Sequence, residues 1–329
     1  MIFLYALLFT LIVSQFVNGE KCICPNEKIG HNIYDIGINS KYSTEWWYYL
    51  INVLDIESPI LSQEIVWLRN GKICNGSSVY FYQENIMYRN LTSKNIVKFQ
   101  IKNDIIGNKV FNIFNYSLYL NRQNNYKFKQ VGINNNVTME GFGYPQGRNK
   151  DGFVKTGKSN CDTSYTLSFP NLKVKINDKY DGIAYGEHVL TSTDSKTSPY
   201  SGWNCHYFHN LLFFSNINSY FTCESKYSNS SKRDPYRRSM ILYNDNTTYW
   251  TTNFKLHNYF NWTDKVQNVT YPILWKIKIL NDIEHYFVPK EIDGVIKFNN
   301  FPIHLWDSPV TILDENYREI GVGFSEILV

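Results

Sequence analysis

The chain has 329 residues, with 33 Lys and Arg against 29 Asp and Glu and a formal net charge of +4. A balance that small, with both signs interspersed, excludes the basic footprint of a nucleic-acid-binding protein. Its 26 Tyr, 21 Phe and 8 Trp favour pleated strands and supply large apolar contact area.

The first element is a leader. Residues 1–13 carry no charge and run through Ile2, Leu4, Leu7, Leu8, Phe9, Leu11, Ile12 and Val13 toward Val17-Asn18-Gly19. That layout predicts a signal peptide over residues 1–19, cut after Gly19, and therefore a secreted or secretory-lumen protein. A membrane anchor would need about 20 apolar residues, and Ser14, Gln15 and Asn18 interrupt this run well before that. No later segment predicts a membrane span.

Asn-x-Ser/Thr sequons at Asn75, Asn90, Asn115, Asn136, Asn229, Asn246, Asn261 and Asn268 predict N-linked glycans wherever they are exposed. Cys22, Cys24, Cys74, Cys161, Cys205 and Cys223 all lie beyond the leader, and an even number in an oxidising compartment predicts disulfides. Sequence does not choose the pairing.

Beyond the leader, short runs rich in Tyr, Phe, Val, Ile and Thr alternate with Asn, Gly, Asp and Ser clusters, an all-β rhythm with little helical periodicity. Strands are predicted near 46–54, 62–69, 77–83, 96–106, 110–120, 126–133, 138–143, 164–169, 172–176 and 183–191. Val97 to Lys102 alternates strictly, which suits a barrel wall with one wet face. The polar, Pro-punctuated stretch Ser192 to Ser201 reads as a linker. Domains are therefore expected over 20–195 and 196–329, each of ordinary size. Strands resume near 205–214, 220–226, 238–243, 249–256, 273–280, 285–289, 310–313 and 320–328. Periodicity does not separate sandwiches from closed barrels.

One motif is specific. Ser43-Thr44-Glu45-Trp46-Trp47-Tyr48-Tyr49-Leu50 resembles the Thr-Glu-Trp-Trp-Tyr signature of the hydroxyneurosporene synthase, or AttH-like, family. Gly182-Ile183-Ala184-Tyr185-Gly186-Glu187-His188 resembles that family's aromatic, spacer, acid, His segment, and Gly202-Trp203-Asn204 its Gly-Trp-Asp opening of a second domain. Tyr271-Pro272-Ile273-Leu274-Trp275 and Gly321-Val322-Gly323-Phe324-Ser325-Glu326 resemble its two closing strands. The resemblance implies two tandem lipocalin-like antiparallel barrels, with ligand space in a barrel and where the two meet. It implies no single reaction, because the family spans a carotenoid hydratase, pericyclic cyclases and secreted members without a known reaction. Leu190 and Cys205 stand where the family has aromatic residues.

The candidate catalytic residues are Glu45, Glu187 and His188, and the candidate ligand-binding residues Trp46, Trp47, Tyr48, Tyr185 and Trp203. A carboxyl desolvated by an apolar wall becomes a general acid, whereas one that accepts hydrogen bonds at a barrel mouth is only structural. Glu187 and His188 are adjacent, so on a strand they face opposite ways and only one lines any given cavity. His188 is either a proton carrier near neutral pH or a satisfied structural residue. Cys205-His206 with His209 fails as a metal set, since residues three apart on a strand diverge. Glu284-His285 gains nothing from spacing. No nucleophile elbow is present, Gly141 to Gly147 reads as a mouth turn, and no cofactor is called for.

Two functions follow. One is a binder of a hydrophobic small molecule, as a carrier or as a hydratase-, isomerase- or cyclase-like lyase on a polyene or terpenoid-like substrate. The other is a secreted interaction or adhesion module with exposed Tyr and Trp and no catalysis.

Overall fold

In strand β16 (Val269–Ile279), Tyr271, Ile273, Trp275, Ile277 and Ile279 are buried while Pro272, Leu274, Lys276 and Lys278 between them are half-buried. A period of two buries one side only when the backbone is extended. The computed structural model describes residues 44–71, 78–89, 96–106, 125–131, 136–145, 153–155, 163–191, 200–212, 215–227, 237–280, 283–292, 295–296 and 305–329. Among these every regular element is a strand.

The chain divides into two compact units, one ending at Ser198 and the other running Pro199–Val329. In the first, the order across the sheet is β4 (Ile96–Ile106), β3 (Ser78–Arg89), β2 (Ile60–Gly71), β1 (Thr44–Val53), β10 (Tyr180–Thr191), β9 (Thr163–Ile176), β6 (Asn136–Phe142) and β5 (Asn125–Val131). Short strands β7 (Tyr144–Pro145) and β8 (Phe153–Lys155) add to β9. In the second, the order is β14 (Thr248–Thr251), β13 (Arg238–Tyr243), β12 (Ile217–Tyr227), β11 (Tyr200–Asn210), β20 (Glu319–Leu328), β19 (Leu305–Leu313), β17 (Ile283–Pro289), β16 and β15 (Phe254–Asp264), with β18 (Val295–Ile296) on β19. Its end strands β14 and β15 are consecutive in the chain, so covalent continuity bends the sheet back on itself. Among the described residues all pairings are antiparallel, and each unit joins its first described strand to its last. The chain is all-β, built as two tandem lipocalin-like sheets.

In the first unit Trp47, Tyr49, Ile51 and Val53 point into a core with Ile65, Val137, Met139, Phe169, Leu172, Val174 and Ile176. Tyr48, Leu50 and Asn52 face the other way and are buried as well. A β-carbon on Gly186, the cross-strand partner of Tyr49, would lie 2.8 and 2.9 Å from the Tyr49 ring and 3.1 Å from Leu172. Both neighbours are fully buried and cannot retreat. Glycine is therefore required there so that the ring can lie across the backbone. In the second unit Phe208, Tyr220, Ile241, Tyr271, Trp275, Phe287, Trp306 and Ile327 form the core. Cys205 and Cys223 face each other across β11 and β12, Cα atoms 4.2 Å apart, and form a disulfide.

Two expected boundaries are corrected. The separate strands at 164–169 and 172–176 are one strand, β9. Pro170 and Asn171 form a bulge opposite Tyr185, where the register shifts between Ala184 and Gly186. Proline lacks the N–H a regular ladder needs, so a bulge accommodates it. The strand expected at 249–256 is two, broken at Thr252 and Asn253, and β15 extends to Asp264 with exposed Tyr259, Phe260 and Asn261 that carry no alternation. The expected strand at 110–120, the leader, Cys22, Cys24, Cys74 and Cys161, and the sequons at Asn75, Asn90, Asn115 and Asn229 lie outside the described residues.

Gly186→Ala should destabilise the protein by about 1–3 kcal/mol, because the added methyl overpacks an immobile ring. Thermal unfolding measures this, and a midpoint unchanged within a degree would refute the close-packing account.

Candidate active site

The first unit carries a polar cluster on the sheet face opposite its core. Strand alternation puts Tyr48 on that face of β1, and the register sets Tyr48 against Glu187 of β10 and Leu50 against Glu64 of β2. Glu64 in turn pairs with Asn85 of β3, and Glu187 with Ser168 of β9. The Asn85 side-chain amide donates to Glu64 Oε2, and the Tyr48 hydroxyl also hydrogen-bonds the Glu64 carboxyl. Tyr185 donates its phenolic proton to Glu187 Oε1. With that proton committed, Ser168 Oγ, 3.1 Å away, donates to the Tyr185 oxygen. All six side chains are buried.

Burial pushes the Glu64 carboxyl up to about 7 from an ordinary 4.5, against the opposing hydrogen bonds from Asn85 and Tyr48. Taking a carboxylate out of water disfavours its charged form, and here that cost exceeds what two neutral donors return. Glu64 Oε1 has no hydrogen-bond partner among the described residues. Near neutral pH this group holds its proton part of the time, which is the protonation a general acid needs, and Oε1 carries no hydrogen bond among the described residues.

Of the residues singled out from sequence, Tyr48, Tyr185 and Glu187 meet in this cluster. Trp47 and His188 pair on the other face, rings stacked 4.8 Å apart at 4°, and Trp47 Nε1 is buried without a partner among the described residues. Glu187 and His188 thus diverge as adjacent strand residues must. The backbone sets Glu45 against Arg69 and Leu190, and Trp46 against Leu68 and Val189, while the side chains of Glu45 and Trp46 lie outside the described ones. Trp203, in the second unit, is buried and donates from Nε1 to Glu326 Oε1 at 2.7 Å.

Sequence reading missed Glu64, Asn85 and Ser168. The available signal was Ser62-Gln63-Glu64, three polar residues inside a strand, all of them buried. In the second unit the Cys205 sulfur is committed to its disulfide. His206 turns into the core against Trp275 and Phe287 and meets Ser325 Oγ at 2.9 Å. His209 is buried with neither ring nitrogen hydrogen-bonded among the described residues. Those residues hold no group of side chains able to bind a metal ion.

No protein-family model matches the chain, and no curated protein matches it by sequence. Solved structures do match. An AttH from Nitrosomonas europaea superposes with a TM-score of 0.66 at 14% identity, over 93% of this chain and 98% of that one. Kievitone hydratase from Nectria haematococca gives 0.56 at 11% identity, over 94% and 96%. The protein therefore has the fold of the AttH-like, lipocalin-type proteins.

The two units titrate in opposite senses. Glu64 keeps, up to about pH 7, a proton that the unfolded chain loses near 4.5, so its contribution to stability falls as pH rises through that window. Burial lowers His206 and His209 to about 3 from 6.5, so the unfolded chain binds protons that the fold refuses, and stability falls as pH drops below 6.5. Glu64→Gln should gain stability relative to wild type from pH 4.5 to 7. His209→Phe should flatten the acid limb by on the order of 1 kcal/mol per pH unit. Denaturant titrations across a range of about pH 4 to 8 measure both, and differences that do not change with pH would refute the assignment.

Proposed function

We propose that the protein is a secreted glycoprotein that binds a hydrophobic, alkene-bearing small molecule of the polyene or terpenoid type and adds water to it. Glu64 is the acid. What carries this reading is a buried carboxyl that holds its proton near neutral pH and has one oxygen without a hydrogen-bond partner among the described residues, set among tyrosines. Glu64 gives its proton to one alkene carbon, and the electron-rich ring faces of Tyr48 and Tyr185 stabilise the cation left on the other. Water attacks that carbon and returns a proton to the Glu64 carboxylate, so the net change is addition of one water. A hydratase among the structures of this fold supports that class of reaction.

Incubation with a panel of polyenes and prenylated phenols in oxygen-18 water tests this. Products should gain one labelled water, and Glu64→Gln should lose turnover by at least about a hundredfold while keeping substrate affinity within about twofold. Unchanged turnover in that variant would overturn the role.

Secretion makes its own prediction. Asn246, Asn261 and Asn268 are exposed, whereas the Asn136 amide donates to Asp178. The mature chain should begin at Glu20 and carry glycans at the three exposed sites. Retention of Met1, or no mass loss on glycosidase treatment, would contradict it.

One observation favours the second reading, a surface module. Tyr259 and Tyr317 are 59% and 68% exposed and flank Tyr286, with ring centroids 6.1 and 5.1 Å from it. Such a platform can stack on a sugar. Glycan-array binding abolished by Tyr286→Ala, with no uptake of an apolar dye, would select this function.

A further inference from the structure

We infer that the second unit holds its own small-molecule site, separate from the Glu64 cluster, which takes a neutral apolar molecule through a single hydrogen-bond acceptor such as a carbonyl. A cavity of about 420 Å³ opens between the β11–β12 connection, the start of β17 and the β19–β20 turn. That volume is within the range of small-molecule sites, about 300–1,000 Å³. Phe208, Ile217, Ile283 and Ile320 supply the apolar wall, with His285 set among them.

The polar groups of this cavity show what it would recognise. Asn210 is consumed by its own loop, donating to the Ile217 carbonyl at 2.7 Å and accepting from the Leu212 N–H at 2.9 Å. Ser215 likewise serves the Ile217 backbone. Asp314 and Arg318 form an ion pair at 2.6 Å, and Asp314 also accepts the Arg318 and Asn316 backbone N–H groups. The rim therefore presents no net charge, and a charged ligand would find no unpaired counter-ion there.

His285 is different. Its Nδ1 lies 2.9 Å from the hydroxyl of buried Tyr220, and its ring is stacked on that of Tyr220 at 5.7 Å and tilted against Phe208 at 5.0 Å. The Tyr220 hydroxyl must donate to something, and Nδ1 is its partner among the described residues. A buried hydroxyl with no acceptor would forfeit the full cost of its desolvation. Nδ1 then accepts, which places the imidazole proton on Nε2. Burial lowers His285 to about 4, against the pull of Asp314, so the ring is neutral at physiological pH. Nε2 has no protein partner among the described residues. A neutral N–H donor fixed by aromatic packing in an apolar wall selects an uncharged acceptor, as in a ketone, ester or lactone, and the wall accommodates its hydrocarbon body.

Benzophenone, a neutral aromatic ketone that inserts into nearby C–H bonds under near-ultraviolet light, tests this directly. Adducts on the full glycosylated chain should map by peptide mass spectrometry to Phe208, Ile217, Ile283 or Ile320. Diphenylmethane, the same shape without the carbonyl, should compete for that labelling about threefold to tenfold less well than unlabelled benzophenone, the worth of one hydrogen bond. His285→Phe should erase that difference while leaving labelling by shape in place, and Ile217→Trp, which fills the cavity, should abolish it. Adducts confined to other segments would overturn the site, and equal competition by the two compounds in the wild-type protein would overturn the role of His285. The wild-type competition needs no variant to fold.

Discussion

Each unit is held by the antiparallel join between its first strand and its last, β1 to β10 and β11 to β20. Residues on both sides of these strands are withdrawn from water. Trp47 through Val53 are buried without exception, and so are Gly202 through His209. A strand buried on two faces tolerates no slip, because a shift by one residue exchanges every side chain between its two environments. Tyr49 over Gly186 secures the register in the first unit, and the Cys205–Cys223 bond lies beside the join in the second.

This constraint also explains where the polar chemistry sits. A two-sided strand has one face for the apolar core and a second that need not be wholly apolar, provided its polar atoms find partners. Both units use that second face in the same way. The last strand carries one buried glutamate away from the core, Glu187 in one unit and Glu326 in the other, each receiving a hydrogen bond from an aromatic donor, Tyr185 or Trp203. In the first unit a neighbouring strand brings in Glu64, whose proton affinity is raised into the neutral range, and in the second β19 sets the buried carboxyl of Asp307 directly against Glu326. On that face the second unit also places the Cys205–Cys223 disulfide and His209, which burial keeps uncharged, while His206 turns into the core. Similar topology thus carries different chemistry in its two copies.

Much of this was legible in the sequence. The strand rhythm and the Glu45-Trp46-Trp47-Tyr48 and Tyr185-Gly186-Glu187-His188 segments point to the fold. The divergence of Glu187 from His188 follows from alternation alone. What alternation cannot supply is register between strands distant in sequence. Glu64 reads as an ordinary polar residue of a strand until it is set against Leu50 and Asn85, and Ser168 until it is set against Glu187. The Pro170 bulge was hidden for a related reason, since Phe-Pro-Asn has the local chemistry of a turn and only the partner strand shows that the ladder continues past it. His285 was set aside for want of a spacing, because its meaning comes from Tyr220, 65 residues away.

The Cys205–Cys223 bond has a consequence for recovery after unfolding. It spans 18 residues and joins two strands that are already neighbours. When the second unit loses its fold, β11 and β12 stay tethered at Cys205 and Cys223, so the chain keeps a record of one correct contact from which the remaining strands can be laid down. Closing that loop is an entropic cost of about 3 kcal/mol that the oxidised chain does not meet again on each folding attempt. The second unit is in this respect a hairpin with memory. Reduction would erase that memory before it disturbed any contact in the folded protein, so the thiol poise of the surroundings acts on how quickly the second unit is regained rather than on its native shape.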